Sequence, residues 1–219
     1  MLKAAAVFTF AAVLILSGVT GALATSIVSD TSWTWIPCTN ITTCGGAPTA
    51  AVAVTTTTII PPWHNPTTGT WISSLASGFS SITGGTVQQF SKTIDFGVGG
   101  SLLTLKVWAD DTAAVLIDGV ALSLLNGGSA PNLVADTACA AGTLGCEDTE
   151  FGQFSASLTG SHELQVRVLQ LDGFSGTPFG TLVEGDLAAV PEPATILLLG
   201  SALATAGVVS RRRFRKSAS

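Results

Sequence analysis

Apolar and polar residues alternate strictly from Leu103 to Val107, at the centre of a strand pattern that runs from Ser101 to Ala109. Leu103, Leu105, Val107 and Ala109 lie on one side, Thr104, Lys106 and Trp108 on the other. A period of two marks a strand with one face in a core and excludes an amphipathic helix over the same residues. The same signal recurs along the chain. Ser26–Ile36 reads as a first strand carrying Trp33 and Trp35 on one face, Ala50–Ile60 as a β-branched strand ended by Pro61-Pro62, and Thr70–Leu75 as a short one. Val87–Phe96 alternates through Phe90, Ile94 and Phe96. Asp118-Gly119 joins Ala113–Ile117 to Val120–Leu124, the residue pair a tight type I′ hairpin requires. Phe151–Leu158, Glu163–Leu171 and Thr181–Leu187 complete the set. With no long amphipathic segment and no internal repeat, the expected fold is all-β, an antiparallel β-sandwich of jelly-roll type.

The two ends follow different rules. Residues 1–24 read as a secretory signal: Lys3 is the positive start, Ala4–Leu16 the apolar run, and Ala22-Leu23-Ala24 the small-x-small site for signal peptidase. The mature chain then begins at Thr25, with residues 25–189 as the β ectodomain. At the other end Pro191 and Pro193 keep residues 190–193 extended. Residues 194–209 carry no charge, so a helix there can sit in hydrocarbon with its backbone bonds satisfied internally. Sixteen residues at about 1.5 Å each reach roughly 24 Å, against a core of ~30 Å. Arg211, Arg212, Arg213, Arg215 and Lys216, within residues 210–219, stop translocation and stay cytoplasmic.

Pro191-Glu192-Pro193, the short apolar helix and the basic end together resemble the PEP-CTERM sorting signal of Gram-negative, exopolysaccharide-producing bacteria. The resemblance covers Val190 to Lys216. It implies an exported protein, held in the inner membrane until a membrane protease of the exosortase class processes it near Pro191-Glu192-Pro193. The destination it implies is the cell surface or extracellular matrix. Family naming also associates this tail with ice-binding proteins. Thr55–Thr58 is a single threonine run, however, and ice recognition needs flat ladders on several strands.

Charge narrows the partners. Outside the two targeting segments Lys92, Lys106 and Arg167 face thirteen carboxylates between Asp30 and Asp186, a net of −10. Such a domain repels nucleic acid. Cys38 and Cys44 form one close pair and Cys139 and Cys146 another. Export to an oxidising compartment favours disulfides. The rival, a zinc site, lacks histidines at ligand spacing.

Val107-Trp108-Ala109-Asp110-Asp111-Thr112 followed by Val115-Leu116-Ile117-Asp118-Gly119 resembles the strand, Asp-Asp, strand, Asp-Gly pattern of protective-antigen-type carbohydrate-binding sandwiches in adhesins. Thr112 stands where that pattern has glycine. The resemblance implies calcium, with Asp110, Asp111 and Asp118 as ligands and sugar hydroxyls gripped through the ion. Read from the residues alone, Asp110-Asp111 is a solvated strand-end turn and Asp118 a hairpin residue, and both readings stand open at this point. Among the tryptophans, Trp63 in its proline-rich loop is the one expected to be exposed and to stack on a sugar.

Catalysis finds little support. His64 and His162 are the only histidines, and no nucleophile elbow, zinc-binding helix or phosphate loop occurs. The expectation is a non-enzymatic structural or adhesive protein associated with exopolysaccharide. A calcium-dependent lectin and a surface glycan hydrolase are the alternatives.

Overall fold

A computed structural model describes residues 24–54, 63–78, 87–128, 130–131, 144–171, 178–190, 200–201 and 203. Its contacts set apart a body, Ala24–Ala188, from a second unit made of Met1–Leu23 and Ala189–Ser219. The strands are β1 (Thr25–Val28), β2 (Thr34–Cys38), β3 (Thr49–Ala50), β4 (Val52–Ala53), β5 (Ile72–Ser73), β6 (Val87–Asp95), β7 (Ser101–Asp110), β8 (Thr112–Ile117), β9 (Val120–Ala121), β10 (Gly152–Leu158), β11 (Ser161–Leu169) and β12 (Gly180–Ala189). One sheet runs β10-β7-β12-β5-β4, with β1 also on β12; the other runs β3-β2-β6-β11-β8-β9.

From β6 onward the long strands alternate between sheets, so each crossover closes one end of a shared core. Alternation decides which side chains enter it. Leu103, Leu105, Val107, Phe154 and Val183 come from the first sheet, and Phe90, Val115, Leu164, Val166 and Val168 from the second. Register stacks them in layers: Trp35 faces Phe90, Phe90 faces Val166, and Val166 faces Val115 across four strands. Each such side chain contributes about 1.5–3 kcal/mol by leaving water.

The expected first strand is in fact two strands, in different sheets. Asp30 breaks it. Its Oδ1 accepts the Ser32 N–H at 2.8 Å and the Trp33 N–H reaches the Asp30 carbonyl, which turns the chain between β1 and β2. Trp33 then lies in the core, with Nε1 donating to Val28 O at 3.0 Å. The expected Ala50 strand likewise divides into β3 and β4, one in each sheet. Its remainder, including Thr55–Thr58, falls outside the described residues.

The Asp-Gly hairpin forms as its residues demand. Asp118 and Gly119 take φ of 49° and 79°, the left-handed pair a type I′ turn needs. Cys38 and Cys44 are joined in a disulfide. Arg167 pins the closed loop to the second sheet, Nη1 donating to Ile41 O at 2.9 Å and Nε to Gln89 Oε1 at 2.8 Å. Cys146 is disulfide-bonded as well. Cys139, the one thiol left to pair with it, lies outside the described residues.

Thr25 pairs with Leu187, so the chain enters and leaves the body at one pole. The Asp118-Gly119 turn and the β10–β11 turn share that pole, since β8 and β10 both point toward it. Asp110 and Asp111 end β7 at the other.

Candidate functional site

β7 stops where its ladder gives way to loops. The Ala109 N–H donates to Gly145 O at 2.8 Å and the Asp111 N–H to Leu169 O at 3.3 Å, carrying the chain from the first sheet to the second. The peptide between Asp110 and Asp111 is cis. Both side chains are only 2% exposed, so the solvated strand-end turn is not what forms. Asp110 Oδ2 accepts from Trp63 Nε1 at 2.5 Å, and Asp111 Oδ2 accepts from the Leu171 N–H at 2.5 Å. The Gln170 amide lies against Asp111, with Nε2 3.5 Å from Oδ2. Gln170 is fully buried, yet its Oε1 finds no hydrogen-bond partner. An orphaned buried acceptor is costly, about 1–3 kcal/mol.

Trp63 is buried, 5% exposed, contrary to its expected place on the surface. Its ring stacks on Trp71 with centroids 4.1 Å apart, while Trp108 stacks on His64 at 4.2 Å. Together with Val54, Leu182 and Cys146 they form a second apolar cluster. Trp108 and Leu182 stand on the outer face of the first sheet, so this cluster roofs it near the Asp110 pole. The loop that carries Trp63 is held from both sides. The His64 N–H donates to Cys146 O at 2.7 Å, Trp71 Nε1 to His64 O at 2.9 Å, and His64 Nδ1 lies 2.7 Å from Asp148 Oδ1. Trp63 therefore cannot offer a face to a sugar.

Asp118 does not join its two expected partners. Six residues of β8 separate it from Asp111, about 20 Å at ~3.3 Å per residue. It pairs instead with His162, Nδ1 to Oδ2 at 2.5 Å, while His162 Nε2 lies 2.9 Å from Thr159 O. Two acceptors favour the imidazolium. The bond to Asp118 first, then the Thr159 carbonyl, raise the His162 pKa above its ordinary value, and the His162 bond holds Asp118 below its own. The histidine contribution is therefore complete below the ordinary histidine pKa and is lost as pH rises through the raised one.

Glu184, on the outer face of β12, was invisible to pattern reasoning. Its Oε1 accepts the N–H groups of Thr67, Thr68 and Gly69 at 2.8, 2.8 and 3.1 Å, and Oε2 the Thr67 hydroxyl at 2.7 Å. Burial alone would raise its pKa. The hydrogen bonds, that from Thr68 foremost, outweigh this and lower it to about 2. Because the folded value is depressed, the stabilisation is present above the unfolded value of 4.5 and is lost as pH falls toward 2. After discounting for partial solvent screening, Glu184→Gln should cost about 1–2 kcal/mol at pH 7. Urea titrations at pH 7 and 3 would check this: the gap between wild type and variant should narrow at the lower pH, and a constant gap would contradict the assignment.

Two antiparallel sheets around one core, with a carboxylate pair sunk into one loop pole, make up an all-β body. A family model for the PEP-CTERM protein-sorting motif matches residues 189–213. The chain carries a PEP-CTERM sorting motif, and that motif supports an exported protein, processed at the membrane by the membrane protease exosortase and placed at the cell surface. Pro191, Glu192, Pro193, the basic block from Arg211 to Lys216, and Ala22 fall outside the described residues; Ala24 is exposed immediately before β1. No curated protein matches the chain. Among solved structures, the crystal structure of FMN-binding beta-glucuronidase from Facaelibacterium prausnitzii L2-6 is similar at 15% identity and a TM-score of 0.35, covering 75% of this chain and 23% of that one.

Proposed function

We propose that this surface protein is a non-enzymatic adhesion module of the extracellular matrix that grips polysaccharide through a calcium ion held at the Asp110 pole. The observation that carries the reading is the orphaned Gln170 Oε1, fully buried on a side chain that lies against Asp111. A hard cation would give that oxygen a partner. Ca²⁺ takes about six to eight oxygens. Asp110, Asp111 and Gln170 supply part of that set, and among the described residues no group of three or more His, Cys, Asp or Glu completes a protein cage. Asp118 is not part of the set. The acidic body favours a hard cation and rejects polyanions other than through such an ion.

Calcium should raise the melting temperature of the full-length chain in detergent micelles by about 5 °C at saturation. Mg²⁺, which demands a tighter octahedral shell, should do less. Asp111→Asn should remove the calcium response, and chelation should release the protein from purified exopolysaccharide. A melting temperature indifferent to calcium would end this reading.

A further inference from the structure

We infer a second binding site, independent of metal, for neutral polyhydroxylated ligands such as an oligosaccharide: an open groove on the outer face of the first sheet. Its volume is about 490 Å³, within the range of ligand clefts, about 300–1,000 Å³. The floor is the outward row of four neighbouring strands. Ser26 of β1 stands opposite Asp186 of β12, Thr104 and Lys106 follow on β7, and Gln153 of β10 stands opposite Lys106.

Both walls are fixed in advance. On one side Thr68 belongs to the loop whose N–H groups close on Glu184. On the other, the Leu125 N–H donates to Gln153 O at 2.8 Å, Asn126 Nδ2 to Phe151 O at 2.7 Å, and the Gln153 N–H to Asn126 Oδ1 at 2.9 Å. This second wall lays an exposed leucine along the rim, and it uses only the backbone of Gln153. A groove with walls already held loses little conformational freedom on filling.

The lining chooses the ligand. Among the described lining residues Lys106 is the only cation, and its Nζ lies 4.8 Å from the centre of the Phe151 ring, so phosphates and uronic acids meet one occupied ammonium beside two carboxylates. Glu184 spends its oxygens on the loop, which leaves Asp186 as a single carboxylate and no cage for a metal. Hydroxyls, an amide and a carboxylate, with an apolar rim, match vicinal sugar hydroxyls and the C–H face of a pyranose ring. The groove lies on a sheet face and not along an edge, so it does not suit strand addition by a peptide.

The test uses the full-length chain in micelles, with EDTA present, titrated calorimetrically with a β-1,4-glucan hexasaccharide, an α-1,6-glucan of equal length and a polygalacturonate oligomer. At least one neutral glycan should bind and the uronate should not. The double variant Gln153→Ala/Asp186→Ala should weaken that binding about tenfold or more, with an unchanged melting temperature, whereas Asp111→Asn should leave it intact. A wild-type melting temperature indifferent to calcium, with groove binding preserved, would sink only the calcium reading. No neutral glycan bound in EDTA, preference for the uronate, or a double variant that binds like wild type would overturn the groove.

Discussion

Trp63→Ala is expected to cost about 3–5 kcal/mol of stability, lowering the melting temperature by about 6–20 °C for a body of this size. The indole fills the outer cluster against Trp71 and closes the loop over Asp110. Its removal takes away packing and a hydrogen-bond donor at once. Trp63→Phe separates the two effects. It keeps an aromatic face on Trp71 but removes Nε1, so Asp110 loses one donor at about 1.5–3 kcal/mol, the usual range for a bond to a charged group. Thermal denaturation of both variants decides the matter. A Trp63→Ala protein within 1 kcal/mol of wild type, about the loss expected for an exposed indole, would mean the ring is not buried. Any loss of polysaccharide retention in that variant would then have to be read together with its stability, since the ring does not face solvent.

Much of the fold is legible in the sequence because strand alternation and turn chemistry are local. β6, β7, β8, β10, β11 and β12 all stand within a few residues of their expected bounds, and the Asp118-Gly119 hairpin has the backbone its residues dictate. Cys38 and Cys44 bond as spacing and export suggest. What periodicity cannot carry is contact between distant loops. Trp63 is buried by Asp110, 47 residues away. Glu184 is clamped by a loop 115 to 117 residues earlier. The break at Asp30 was legible in principle, as an Asx turn two residues before Ser32, but a run of β-favouring residues on both sides conceals it. Of the candidate site, the Asp110-Asp111 pair could be read from the chain. Gln170 could not, because nothing about a glutamine after a strand indicates that its acceptor will be buried without a partner.

Gly185→Ala should be nearly as damaging as the loss of Trp63, for the opposite reason. A Cβ at Gly185 would stand 2.1 Å from Thr104 O, 2.8 Å from Leu105 Cδ2 and 3.0 Å from Leu105 Cα. Two of those atoms are backbone in the middle of β7, so no side-chain rotation relieves the contact and β12 must move away. Overpacking of this kind costs about 3 kcal/mol. Gly45→Ala, where an added Cβ meets nothing within 4 Å, is the control and should fall within about 0.5 kcal/mol of wild type. The consequence reaches further than stability, because β12 serves both proposed sites. Asp186 lies on the groove floor, and Thr181 Oγ1 donates to Trp108 O at 2.8 Å, tying the same strand to β7 two residues before Asp110. If β12 is lifted, the groove loses a carboxylate from its place and the tie beside the Asp110 pole loosens. Chemical denaturation together with the calcium and glycan titrations should therefore show all three properties falling in Gly185→Ala and none in Gly45→Ala. Equal stability of the two variants would refute the close approach of β12 to β7 on which the geometry of both sites depends.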